Sequence, residues 1–225
     1  MLIEWLTLIG GTFASLLPIA NPFSTAPVFV AVTRYMTELR RSEQARLAAI
    51  YTVCVLVGAL LVGAVVMEFF GISISALRIA GGLVVARIGF GMLNPDSSEE
   101  LPDEQKKEAM DMRDIAFTPI AMPLLSGPGS IAVTISMATH VDRPDEYVAI
   151  IIGIVLVAFV SWLILRSSTR VVAFLGATGM TALTRLMGFI LVCIGVQFIA
   201  IGFFEAITNE KVAEAILNAY RPGGL

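Results

Sequence analysis

The sequence predicts an all-α integral membrane protein. It has six transmembrane helices in two inverted three-helix repeats, the first helix of each repeat broken at a proline motif. Composition is the first observation. Of 225 residues, 57% are hydrophobic and 15% charged, and mean hydropathy is +0.86, whereas a soluble domain carries roughly 25% charged residues. Second, several apolar runs approach or exceed the ~20 residues that a bilayer crossing needs. Third, the chain repeats itself: residues 18–33 and 119–134 share eight of sixteen positions. The shared positions include Pro18, Pro22 and Pro27 against Pro119, Pro123 and Pro128, and Ala31-Val32-Thr33 against Ala132-Val133-Thr134.

Residues 2–33 are too long for one simple span, about 48 Å as an unbroken helix against a hydrocarbon core of about 30 Å. The prolines predict a helix to about Leu17, an irregular turn through Asn21-Pro22, and a second segment to about Thr33. No Lys or Arg falls in the first thirty-three residues, so this stretch reads as a retained span rather than a signal peptide, which opens on basic residues. Residues 34–46 form a polar hairpin, 47–67 the second span, 70–75 a short turn and 77–93 the third span. The polar stretch 94–114 is a cytoplasmic linker. Residues 115–139 are the fourth span, broken at Pro119, Pro123 and Gly127-Pro128-Gly129. A loop at 140–146 leads to the fifth span, 147–165. Residues 166–184 hold a short apolar piece, 171–175, read as an interfacial half-helix, and 186–204 are the sixth span. Residues 205–225 form a weakly amphipathic tail.

The third helices match too, Leu77-Arg78-Ile79-Ala80-Gly81 against Thr184-Arg185-Leu186-Met187-Gly188. The halves are thus 1–93 and 115–204. Three crossings in each bring the second copy in from the opposite side. Ten Lys and Arg fall in the odd-numbered connections and four on the other side, with Arg87 inside a span. The excess of basic residues puts the odd connections in the cytoplasm and both termini in the periplasm.

A proline inside a helix removes one N–H and displaces the carbonyl four residues earlier, at a cost of about 3 kcal/mol or more. Non-helical backbone at membrane depth survives where it is buried in protein or lines a cavity. Two such breaks in inverted copies predict a midplane site in which helix N-termini face an anionic group and freed carbonyls hold a cation or ammonium. A zwitterionic amino acid suits it. Asn21, Pro22, Ser24 and Thr25 in the first copy, with Ser126, Gly127, Pro128, Gly129 and Ser130 in the second, are the candidate substrate-binding residues. Ala26 and Gly127 leave room for something compact.

Charged residues at membrane depth suggest function by default. Arg78 and Arg185 lie near span entries, where snorkelling is the plain reading, and their matched positions make them candidate gating residues. Glu68 and Asp114 are weak candidates for coupling, and Glu205 reads as a solvated helix end. Cys54 and Cys193, far apart in apolar runs, read as small buried hydrophobes. No cofactor motif, metal-ligand cluster or basic stripe for nucleic acid is present in the sequence. His140 lies in a loop beside Asp142, and no base accompanies Ser126 or Ser130, so an enzyme is not expected.

Asn21-Pro22, the run from Phe70 through Gly82, Gly127-Pro128-Gly129 and Arg185-Leu186-Met187-Gly188-Phe189 together resemble the MarC family. That family is named for a multiple-antibiotic-resistance locus and includes archaeal transporters of small neutral amino acids. The resemblance implies a multi-pass bacterial inner-membrane protein of six spans that carries small neutral amino acids such as glycine or alanine. H+ or Na+ is the candidate coupling ion, lipids surround the chain, and homo-oligomers are compatible with it. Efflux of drugs or other small molecules is the alternative within transport, and a non-transporting membrane scaffold the alternative outside it.

Overall fold

The computed structural model describes residues 2–93, 114–139, 141 and 143–208, and these contain helices and no strands. The order is α1 (Leu2–Ala20), α2 (Pro22–Val32), α3 (Glu38–Phe69), α4 (Ile74–Leu93), α5 (Ala116–Leu125), α6 (Pro128–Ala138), α7 (Pro144–Arg166) and α8 (Ser168–Thr208). Five helices are long and apolar enough to cross a membrane, or six with the pair α5 and α6, which bend by 64° at their break, taken as one span. The expected linker at 94–114 lies outside the described residues except for Asp114, as do His140, Asp142 and the tail from 209.

Local sequence explains where the helices start and stop. Thr37 caps α3 by accepting from the Arg40 N–H at 3.3 Å, and Pro144 opens α7 with Asp145 and Glu146 in its first turn, where acidic residues meet the positive end of the helix dipole. Arg40, Arg41 and Arg46, expected in a hairpin, instead lie in the first turns of α3. The true connection is residues 33–37. Pro18 does not end α1, which runs on to Ala20 and closes with Asn21 N–H to the Leu17 carbonyl at 3.0 Å. Residues 171–175 lie in the opening turns of α8, which is interrupted at Gly176 (φ 62°, ψ −177°), a backbone region open essentially to glycine alone.

Two apolar clusters hold the bundle. One joins Leu16, Ile19 and Ala20 of α1 with Val133 and Ala138 of α6, along with Leu56, Leu60, Val85, Ile150, Ile154, Val157 and Leu191. The other joins Phe29 and Val32 of α2 with Ile115, Ala116, Ile120 and Leu125 of α5, along with Ala45, Ala48 and Leu165. The broken segments therefore pack crosswise, the first piece of each against the second piece of the other. Other contacts come in matching pairs: α4 meets α6 as α8 meets α2, and α3 meets α5 as α7 meets α1.

The α4–α8 pair is the most extensive contact, and glycines set it. A methyl built on Gly82 would lie 2.6 Å from the Gly195 carbonyl, and one on Gly89 2.6 Å from the Gly188 carbonyl. Lipid chains are as apolar as Leu, so close backbone approach through small residues, rather than apolar burial, drives such pairing. Outward faces carry Leu61, Val65, Val155, Phe159, Phe189 and Phe203. Cys54 and Cys193, expected inside, are exposed on these faces.

Candidate functional site

The break between α1 and α2 is a single residue, Asn21, with φ 39° and ψ 62°. Among the described residues it has the sole positive φ outside glycine. Asparagine tolerates the left-handed region better than most side chains, and Pro22 comes next, at the first helical position, where its missing N–H costs nothing. The Asn21 side chain then caps α2: Oδ1 accepts from the Ser24 N–H at 3.3 Å. A backbone N–H can only donate, so this contact fixes the amide orientation. Nδ2 donates to Ser24 Oγ at 2.8 Å and to the Met92 sulfur at 3.4 Å. Ser24 Oγ shares a further hydrogen bond with Thr184 Oγ1 at 3.3 Å. Thr25 returns its hydroxyl to the Asn21 carbonyl at 3.2 Å. A neutral polar cluster thus links the first break to α4 and α8, with Asn21 and Thr25 buried.

The second break is built differently. Thr118 and Met122 have extended backbone (φ −120°, ψ 125° and φ −129°, ψ 122°), as expected for residues preceding proline. The ladder of α5 is widened, with Ile120 N–H reaching the Ile115 carbonyl at 3.4 Å and Ser126 N–H the Ala121 carbonyl at 2.8 Å. Met122 aligns with Asn21, yet the chain turns at Ser126 and Gly127, which align with Thr25 and Ala26. Ser126 and Ser130 are buried, and both hydroxyls stay on their own segment, Ser126 on the Ala121 carbonyl at 2.8 Å and Ser130 on the Leu125 carbonyl at 3.2 Å. Pro128 is exposed at the start of α6 and Gly127 half-buried. At Gly129 the second break comes close to the end of α1: a methyl there would lie 3.4 Å from Ile19 Cγ2 and 2.9 Å from Val85 Cγ2. The breaks therefore adjoin without sharing a side-chain cluster. They also differ in level along α4, with Gly129 at Val85 and Asn21 at Met92, about 10 Å further on at 1.5 Å per residue.

The candidate gating residues divide. Arg78 is only 4% exposed, so it does not snorkel. It donates to Ser136 Oγ of α6 at 2.7 Å and pairs with Glu205 of α8. Glu205, read from the sequence as a solvated end, is the counter-charge that lets an arginine stay inside. Glu205 and Glu68 both line a cleft of about 510 Å³ at the α3–α4 turn, with Ser73, Ser75 and Thr139. Glu68 itself is exposed, as is Arg185 on α8. Asp114 is exposed and precedes α5, accepting from the Ala116 N–H at 3.0 Å.

Met92, Thr184, Ser136 and Glu205 are not among the residues that the sequence singles out for the site. Thr184 opens the repeated motif that ends in Gly188, and that repeat is a usable signal. Met92 carries none, since a methionine at a helix end looks like any other apolar residue.

These features define a multi-pass α-helical membrane protein with two broken helices in contact. The chain belongs to the MarC family: the profile of the MarC family integral membrane protein matches residues 6–207. It is similar to the inner membrane protein MarC of Salmonella typhimurium, 42% identical over 88% of this chain and 95% of that protein. It is likewise similar to the inner membrane protein MarC of Escherichia coli O6:H1, 40% identical over the same shares. No solved structure matches the chain.

Proposed function

We propose that this protein is a secondary transporter of small neutral amino acids, such as glycine or alanine, across the bacterial inner membrane, with export as the candidate direction. The observation that carries this reading is the Asn21 cluster: a neutral hydrogen-bonding group at a helix break, on the N-terminus of α2. A helix N-terminus offers N–H groups and partial positive charge to a carboxylate, and nearby carbonyls suit an ammonium. In this reading Asn21, Pro22, Ser24 and Thr25 form the primary site, and Gly127, Pro128 and Gly129, with Ser126 and Ser130, form the wall that moves against it. The crosswise packing of the broken segments and the matched helix pairs support two inverted repeats. Both termini then lie in the periplasm. The cleft beside Arg78 and Glu205 opens to that side and acts as the outer gate, with H+ or Na+ as coupling ion, no enzymatic step and no cofactor.

Uptake of radiolabelled alanine and glycine by proteoliposomes of the purified chain tests this, under imposed pH or sodium gradients. Saturable uptake competed by serine and not by bulky amino acids or drugs is the expected result. Folded protein without uptake under either gradient would remove the assignment.

A further inference from the structure

From the Asn21 amide geometry we infer that the Met92 sulfur occupies the place of a substrate oxygen, so that Met92 sets affinity by competing with the ligand. This rests on reading Asn21 as the substrate-binding residue. Each contact of the amide is assigned by the chemistry of its partner. Oδ1 takes the Ser24 N–H, one Nδ2 proton goes to Ser24 Oγ at 2.8 Å, and the other goes to Met92 Sδ at 3.4 Å. A thioether is a weak acceptor, whereas a carboxylate is a strong, charge-assisted one. The second Nδ2 proton is thus the exchangeable one. An incoming carboxylate oxygen would displace sulfur and gain the difference. The other Nδ2 proton is held by Ser24, whose hydroxyl is anchored in turn by Thr184.

The position of Met92 suits such exchange. A methyl on Gly188 would lie 2.8 Å from Met92 Cβ, so the root of the side chain is fixed against α8 by a glycine. The thioether beyond it is unbranched and can swing away at little cost. Met92 is therefore a positioning residue: it holds the Asn21 N–H and yields it to a better acceptor.

The test is a series at position 92 graded by acceptor strength, Met92→Leu, wild type and Met92→Gln, in proteoliposome uptake of labelled alanine. Met92→Leu is a volume-conserving apolar change that cores tolerate, and the Met92→Gln amide is accommodated through its hydrogen bond to the Asn21 Nδ2. The half-saturation concentration is expected to rise in the order Leu, Met, Gln, by about fivefold per step, the size of one modest hydrogen bond. Maximal rate should change less than half-saturation. Equal half-saturation across a series that transports, or the reverse order, would overturn the role of Met92 and leave Asn21 standing. No uptake by the wild type would overturn both together.

Discussion

Asn21 joins two functions that a single substitution can separate. Its backbone needs the left-handed region, and its side chain caps α2 and reaches Ser24 and Met92. Asn21→Gly keeps the backbone and loses the side chain. Thermal unfolding in detergent should shift little, since replacing a cap by glycine costs only a few tenths of a kcal/mol, while alanine uptake should fall about tenfold or more, the loss of one well-placed hydrogen bond to a charged group. Asn21→Leu should lose uptake and also melt earlier, because a left-handed non-glycine residue costs roughly 1–2 kcal/mol and the cap about 1 kcal/mol more. The Arg78–Glu205 pair makes an asymmetric case. Glu205→Leu removes a carboxylate paired with a buried guanidinium, which must stay charged inside, whereas Arg78→Leu leaves a carboxylate that is 35% exposed and faces the cleft. Glu205→Leu should therefore be the more destabilising, by about 2 kcal/mol, below the roughly 3–5 kcal/mol of breaking a fully buried pair because Glu205 is partly solvated. Comparison of the two melting curves checks it. At this scale the sequence is informative where chemistry is local. Asn-Pro announces a capped break by itself. Arg78 resembles a snorkelling side chain in the sequence because its partner lies 127 residues away, and nothing in the neighbourhood of either residue reveals the pairing.

Among the elements, the α4–α8 contact depends on backbones that approach through glycine. A methyl on Gly195 would lie 2.6 Å from both Ala86 N and the Gly82 carbonyl, while one on Gly10 of α1 meets nothing within 4 Å. No rotamer relieves a Cβ that meets backbone. Gly195→Ala should thus cost about 1–3 kcal/mol by overpacking, and Gly10→Ala should be neutral or stabilising by up to about 1 kcal/mol, since alanine is the better helix former. Thermal unfolding of the two variants, side by side, tests whether packing or propensity governs. The spans themselves are legible in the sequence because apolar runs of bilayer length have few other fates. Their ends are less so: α3 begins at Glu38 rather than near residue 47, since a polar, arginine-rich turn is as good a helix former as the apolar run it precedes. The offset between the two breaks is hidden as well. Identical prolines at 22 and 123 open a helix in one copy and lie within α5 in the other, because the residue before each differs: Asn21 takes the left-handed region and caps α2, whereas Met122 is extended.

For the whole molecule, the family and the inner-membrane setting stand on the comparison with MarC relatives, and the transport reading stands on the broken helices. Arg41 shows how the ends of those helices are tied into one body. Its guanidinium donates to Thr33 Oγ1 and the Thr33 carbonyl at 3.1 Å each, and to Thr169 Oγ1 at 3.0 Å, fastening α2, α3 and α8 together while placing a cation at the C-terminal end of α2, where the helix dipole favours it. If the proposed transport function holds, the protein must expose its site to one side at a time. Counterflow tests that property most directly. Proteoliposomes loaded with unlabelled alanine are diluted into trace labelled alanine without any ion gradient. An alternating carrier with Asn21 in its site predicts transient accumulation of label above its equilibrium level in the wild type and its loss in Asn21→Gly. Label that only equilibrates, or accumulation that survives Asn21→Gly in full, would contradict it.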